Sequence, residues 1–108
     1  MTPLIEERLM HLAMIVAREF GVTVMELRGP RKSQRVTDAR LAGYAIARQK
    51  TDATCAEVGA FFGGRDPSTV TCGVPRAWDL YESDADFRRK FSAARHWFGE
   101  LELTTDGR

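Results

Sequence analysis

Residues 54–70 of the chain read TCAEVGAFFGGRDPSTV. Thr54 and Glu57 have the spacing of a capping box, which predicts that a short helix begins there. The Gly63-Gly64 pair predicts the end of that helix, because glycine readily adopts the left-handed backbone of a tight turn. Asp66-Pro67 then predicts the N-cap and first turn of a second helix. Two capped helices around a glycine turn are the pattern of a helix-turn-helix.

The rest of the chain also predicts helices. Apolar residues recur three or four positions apart, and no segment shows the alternation of a strand. Pro75 predicts a kink or a shortened segment, because proline cannot donate a backbone hydrogen bond. The predicted fold class is all-α, a helix-turn-helix domain of five to six helices. The expected helices are 3–20, 23–27, 38–50, 54–62, 67–81 and 84–101, with Thr37 or Asp38 capping the third, Ser83 capping the last, and residues 104–108 frayed.

Length and composition exclude several classes of protein. The chain has 108 residues, which suits one domain spanning residues 1–108. It has no run of about 20 apolar residues that could span a membrane, and its first residues lack the pattern of a secretory signal. Cys55 and Cys72 cannot form a disulfide framework or a complete four-ligand metal site. We therefore expect a cytoplasmic protein with no membrane partner, no metal and no cofactor.

Basic residues are concentrated in one stretch. The net charge is only +1, but residues 28–50 hold seven Lys or Arg residues against the single acidic Asp38. Arg40, Tyr44 and Arg48 are spaced four apart, which predicts one row on the outer face of the third helix. Such a distribution is typical of proteins that bind polyanions, although a solvated helix face gives the same pattern. The charge alone leaves both interpretations open.

The residue types at the start of the second motif helix suit the reading of base edges. Arg65 can donate two parallel hydrogen bonds, Asp66 can accept from cytosine, and Ser68 and Thr69 are short hydrogen-bonding side chains. In a helix-turn-helix, the first turn of the second helix enters the major groove. However, any helical hairpin with a glycine turn has a similar pattern, so the motif alone does not exclude a purely structural hairpin.

The sequence AEVGAFFGGRDPSTV at residues 56–70 resembles the signature of the C-terminal DNA-binding domain, domain IV, of the bacterial replication initiator DnaA. That signature reads approximately E-I-G-x-x-F-G-G-R-D-H-[ST]-T-V. Phe20-Gly21-Val22, Leu27 and the Arg31-Lys32-Ser33 loop resemble the same domain in the same order, over about residues 10–95. The resemblance implies a fold related to the Trp repressor and binding to short asymmetric DNA repeats called DnaA boxes.

The resemblance also implies roles for individual residues. Lys32 takes the position of an arginine that enters the minor groove. Departures from the pattern are Pro67 in place of histidine, Leu41 in place of glutamine, and Gly73 and Pro75 within a helix that the family keeps continuous. The expected base contacts are Arg65, Asp66, Pro67, Ser68, Thr69 and Lys32, and the expected contacts to the DNA backbone are Arg28, Arg31, Arg35, Arg40, Arg48 and Lys50.

The sequence contains no motif of nucleotide binding. It has no G-x-x-x-x-G-K-[ST] loop, so we expect a stand-alone DNA-binding domain that is not an enzyme and binds no nucleotide. It would regulate replication initiation or transcription at DnaA-box-like sites, as a monomer. The alternative is a protein–protein interaction module that kept the fold and lost specific DNA readout. Trp97 is expected in the core, and its exposure would make the C-terminal helix a candidate face for a protein partner.

Overall fold

The computed structural model describes residues 1–105, with side chains described through residue 101. Within these residues all regular structure is helical, which confirms the predicted fold class. The six helices are α1 (Pro3–Phe20), α2 (Val24–Arg28), α3 (Gln34–Lys50), α4 (Cys55–Phe61), α5 (Pro67–Ser83) and α6 (Ala85–Thr105).

The helices share one apolar core around α3. The middle of α3 is buried on nearly all sides because α1, α5 and α6 all pack against it. The ring of Phe20 on α1 meets the edge of Phe87 on α6, with centroids 5.6 Å apart. Small residues along α3, including Ala42 and Ala45, allow its neighbours to approach closely. The fold therefore places α5 beside α3, while α1 and α6 pack against α3 and against each other.

The local signals of the motif act as predicted. Thr54 accepts a hydrogen bond from the Glu57 amide, and the Glu57 carboxylate accepts one from the Thr54 amide. Gly63 and Gly64 have φ of 97° and 71°, the left-handed conformations that favour glycine. A Cβ at Gly59 would overlap the carbonyl oxygen of Arg65, so α4 and the turn are in backbone contact there. The motif's two helices are therefore held at a fixed separation.

The start of α3 differs from the prediction. The helix begins at Gln34 with Ser33 in the N-cap position, and Ser33 makes no side-chain capping bond. Thr37 and Asp38, the predicted caps, lie inside the helix, where the Asp38 carboxylate accepts a hydrogen bond from Gln34 at 2.7 Å. Burial of Val36 favours the earlier start, because a helical backbone directs its side chain into the core. Arg35 is consequently a helical residue rather than a loop residue.

The junction of α5 and α6 is also shifted. Ser83 is the last residue of α5, not a cap, and its hydroxyl donates to the Asp79 carbonyl. Asp84 caps α6 instead, because its carboxylate accepts hydrogen bonds from the amides of Asp86 and Phe87. The helix continues to Thr105, beyond the predicted end at residue 101. The remainder of the predicted frayed tail, residues 106–108, lies outside the described residues.

Pro75 does not divide α5. The helix runs unbroken from Pro67 to Ser83, so the predicted shortening is wrong. Pro75 and Thr71 are both on the exposed side of the helix. Water can therefore hydrate the Thr71 carbonyl that has no backbone donor at residue 75.

Across residues 1–105 we find no helix with the length and apolar character needed to traverse a membrane.

We predict that the two helical glycines Gly59 and Gly99 respond oppositely to alanine. Gly59→Ala should lower the free energy of unfolding by about 2 kcal/mol or more, because the new methyl group would overlap backbone that cannot move independently. Gly99→Ala should raise it by about 0.5–1 kcal/mol, since a Cβ there meets no atom within 4 Å and alanine favours the helix. Urea denaturation measures both; equal effects would contradict the close approach at Gly59.

Candidate functional site

The segment after α2 that carries Lys32 and the start of α5 border one groove between α3 and α5. This α3–α5 groove has a volume of about 470 Å³. It brings together five of the residues predicted from sequence as site residues: Lys32, Arg40, Arg65, Ser68 and Thr69. Its remaining lining residues are Thr37, Leu41, Tyr44, Cys72, Gly73 and Arg76.

The first turn of α5 is exposed and organised by Asp66. Oδ1 of Asp66 accepts the Ser68 amide at 2.9 Å and the Ser68 hydroxyl at 2.8 Å. These bonds lower the pKa of the Asp66 carboxyl, because they stabilise its ionised form. Pro67, Ser68 and Thr69 are exposed beside it. The turn therefore presents a carboxylate, a proline ring and two hydroxyls to the surroundings.

Arg65 is half-buried and makes bonds within the protein. Its Nη1 donates to the carbonyl of Phe62, and its Nη2 donates to the carbonyl of Gly29 at 2.8 Å. The guanidinium thus joins the glycine turn of the motif to the segment that precedes Lys32. Its predicted role as a base reader remains a prediction, and the structure gives it a positioning role as well.

Arg40 is buried, with 5% of its surface exposed. The sequence pattern places it on the outer face of α3, and that prediction is wrong. Its Nε donates to Leu27 at 2.9 Å, and its Nη2 donates to Glu26 at 2.8 Å and to Gly29 at 2.7 Å, in each case to the backbone carbonyl. Burial, and secondly the charge of Arg65, lower the pKa of the Arg40 guanidinium. Arg40 therefore holds the end of α2 against α3.

Two further predicted phosphate contacts are also tied to the fold. Arg28 donates from Nε to the Phe61 carbonyl at 2.8 Å and stacks over the Phe61 ring at 4.2 Å. Arg48 donates from Nη1 to the Ala53 carbonyl at 2.5 Å. Both residues are exposed overall, so each can fix a loop and still present positive charge to solvent.

The remaining predicted cations project into solvent. Lys32, Arg35 and Lys50 are exposed, and Arg31 is exposed with its Nε 3.5 Å from a Glu26 carboxylate oxygen. An exposed ion pair of this kind is weak, typically below about 1 kcal/mol. These side chains are therefore available to a polyanion at little cost.

Arg76 and Tyr44 are two of the groove residues that the sequence analysis does not predict as site residues. Arg76 is exposed on the same face of α5 as Thr69 and Cys72, four residues beyond Cys72. Helical spacing could have found it. Tyr44 is buried in the groove wall, whereas its spacing from Arg40 and Arg48 predicts the outer face of α3. Its position depends on the approach of α5, which leaves no signal in the sequence.

The predicted core position of Trp97 is wrong. Trp97 is 49% exposed on α6, and the guanidinium of Arg18 lies 5.9 Å from its ring centroid. Met14, on α1, is 56% exposed. Because Trp97 is exposed, the C-terminal helix α6 is a candidate surface for a protein partner.

Both cysteines are free thiols. Cys55 is half-buried, whereas Cys72 is exposed in the α3–α5 groove. No three His, Cys, Asp or Glu side chains of the described part of the chain are placed to hold a metal ion together.

Residues 10–76 match the family described as the bacterial DnaA protein helix-turn-helix. The chromosomal replication initiator protein DnaA of Crocosphaera subtropica is 33% identical over 78 residues, covering 72% of this chain and 17% of that protein. DnaA of Streptococcus mutans is 42% identical over 55 residues, covering 51% of this chain and 12% of that protein. DnaA of Streptococcus pyogenes serotype M1 is 33% identical over 73 residues, covering 68% and 16%. The chain thus spans less than a fifth of these relatives.

We predict that Arg40→Met lowers the free energy of unfolding by about 2–4 kcal/mol, because it leaves a buried carbonyl at Leu27 without its donor. Arg40→Lys should recover part of this loss by restoring the charge and some of the bonds. The matched control Arg35→Met, at an exposed position of the same helix, should stay within about 0.5 kcal/mol. Urea denaturation of the three variants decides; equal losses for the two methionine variants would contradict a buried role for Arg40.

We predict that the contribution of Asp66 to stability depends on pH. The pKa of Asp66 is lowered in the folded state, so its ionised carboxylate stabilises the fold above the ordinary pKa of about 4. The advantage over Asp66→Ala is lost as the pH falls through the lowered pKa. Thermal unfolding between pH 7 and pH 2.5 measures it. The difference between Asp66→Asn and Asp66→Ala should stay constant with pH, since neither replacement titrates; a wild-type advantage that does not shrink between pH 7 and pH 2.5 would refute the assignment.

Proposed function

The chain belongs to the bacterial DnaA helix-turn-helix family, a DNA-binding module, and we propose that it binds double-stranded DNA specifically at sites resembling DnaA boxes. Its occupancy of such sites regulates replication initiation or transcription, and the binding reaction requires no catalysis or nucleotide. One monomer occupies one asymmetric site.

One observation carries the proposal: Lys32 and the first turn of α5 lie along the same groove. In duplex DNA one phosphate strand separates the minor groove from the neighbouring major groove. A protein that reads both grooves from one side therefore needs two elements that straddle this strand. Lys32 and the Asp66–Thr69 turn supply such a pair.

The proposed base contacts are divided between the two grooves. Ser68 and Thr69 approach base edges in the major groove with Asp66, and the exposed ring of Pro67 contacts a thymine methyl group. Lys32 enters the minor groove. Arg65 reads a base with the N–H donors that remain after its bonds to the carbonyls of Phe62 and Gly29, since a guanidinium has five.

The proposed phosphate contacts differ in what they cost the protein. Exposed cations bind a phosphate without giving up a buried bond. They are Arg28, Arg31, Arg35, Arg48 and Lys50. Arg40 contributes mainly its charge, because its Nε and Nη2 already serve three carbonyls. Neutralisation of phosphates by these side chains releases counterions and makes the affinity fall with salt.

The second candidate function is an interaction module for a protein partner. The exposure of Trp97 favours it, because an exposed aromatic side chain is typical of binding surfaces. The internal bonds of Arg40 and Arg65 favour it too, since they leave fewer N–H donors of these side chains for DNA. This candidate predicts equal affinity for every duplex.

We predict that selection from random duplexes at near-physiological salt enriches one asymmetric motif resembling a DnaA box. Thr69→Val should reduce the preference for that motif over random DNA by about 1 kcal/mol or more at one base pair, because it removes an exposed hydroxyl and keeps the shape. The matched control Thr71→Val, on the opposite side of α5 and outside the groove, should leave the preference unchanged. Equal binding of all duplexes by the wild type would refute specific readout.

A further inference from the structure

Tyr44 forms part of the wall of the α3–α5 groove. It is buried, with 2% of its surface exposed, and its ring meets Phe62 edge-on at 5.5 Å. On the other side it lies against the backbone of α5 at Gly73, where a Cβ would be only 2.9 Å from Cδ2 of Tyr44. The glycine therefore makes the room that the tyrosine ring occupies.

The hydroxyl of Tyr44 has no hydrogen-bond partner among the described residues. Tyr44 lines the groove, and the charges of Arg40 and Arg65 both act on its hydroxyl. The hydroxyl is not among the fully buried polar atoms without a partner, so it reaches the open groove that Tyr44 lines. A ligand in the groove can therefore accept a hydrogen bond from it.

The charge around the groove fixes the chemistry of such a ligand. Lys32, Arg65 and Arg76 line it together with Arg40, and none of its lining residues is acidic. Burial raises the pKa of the Tyr44 hydroxyl, so the group keeps its proton and can donate a hydrogen bond to a negatively charged acceptor. The groove therefore suits an anion with several acceptor oxygens.

We propose that one phosphodiester of the DNA backbone enters the α3–α5 groove and accepts a hydrogen bond from the hydroxyl of Tyr44. The inference rests on the proposed function, because the strand between the two grooves must cross the space between Lys32 and Ser68. The groove lies in that space. Tyr44 is thus a DNA-contacting residue deep in the surface, between the elements that approach the bases.

A contact of this kind has a distinctive signature. Phosphate contacts carry no direct sequence information, so the hydroxyl raises affinity for preferred and random duplexes alike. It is uncharged and releases no counterion, so the dependence of affinity on salt does not change when it is removed. Both properties separate Tyr44 from the arginines around it.

The test is Tyr44→Phe, which removes the hydroxyl and keeps the ring against Gly73 and Phe62. We expect the affinity for the selected duplex and for random duplex to fall by the same factor, about tenfold for a hydrogen bond to a charged acceptor. The slope of affinity against salt and the site preference should remain those of the wild type. The melting temperature of the free protein should not fall, because the substitution breaks no internal hydrogen bond.

Tyr81→Phe is the matched control. Tyr81 is the other tyrosine of the chain and packs between α5 and α6 against Trp78 and Phe91, outside the groove. We expect its DNA affinity to equal that of the wild type.

Duplexes carrying single methylphosphonate linkages locate the phosphate. At one linkage, neutralisation should weaken the wild type and weaken Tyr44→Phe by a clearly smaller factor. If Tyr44→Phe binds DNA as tightly as the wild type, or if the two losses multiply at every linkage, the inference is overturned while the proposed function stands. If the wild type binds no duplex, both fail.

Discussion

The carbonyl oxygen of Gly29 accepts hydrogen bonds from both Arg40 and Arg65. This shared acceptor joins three parts of the chain that are distant in sequence: the end of α2, the middle of α3 and the turn before α5. Arg28 adds a second tie from the same segment to Phe61. Hydrogen bonds are directional and short, so these contacts fix where the segment carrying Lys32 lies relative to the first turn of α5. The whole candidate surface depends on that relation.

Arginines that donate to backbone carbonyls stabilise the fold and also contribute positive electrostatic potential to the surface. A carbonyl oxygen carries only a partial charge, so a guanidinium that donates to carbonyls keeps nearly its full positive charge. Arg40 therefore contributes potential to the groove even though it is buried beneath it. The protein around Arg40 has a lower dielectric constant than water, so it screens this potential less than water would. Counting exposed cations consequently underestimates the attraction of this surface for a polyanion.

The sequence predicts this fold where the signal is local. The capping box at Thr54 and Glu57 and the Asp66-Pro67 start are complete within four residues, and both are present. The start of α3 differs from its prediction because several residues there can cap a helix, and burial of Val36 selects among them. The burial of Arg40 could not be predicted, because its partners are backbone carbonyls and any residue supplies one. The sequence indicates the groove only through the two elements that border it.

Two departures of this chain from the DnaA pattern, Leu41 and Gly73, are connected in space. A Cβ at Gly73 would meet the side chains of both Tyr44 and Leu41, at 2.9 and 3.1 Å. Leu41, which stands where the family has glutamine, and Gly73 are therefore two sides of one packing arrangement, and Tyr44 fills the space between them. Position 41 offers the groove no polar group, whereas position 44 supplies a hydroxyl to the same groove. The presence of a hydroxyl beside the leucine favours the proposed phosphate contact over a surface that has lost DNA binding.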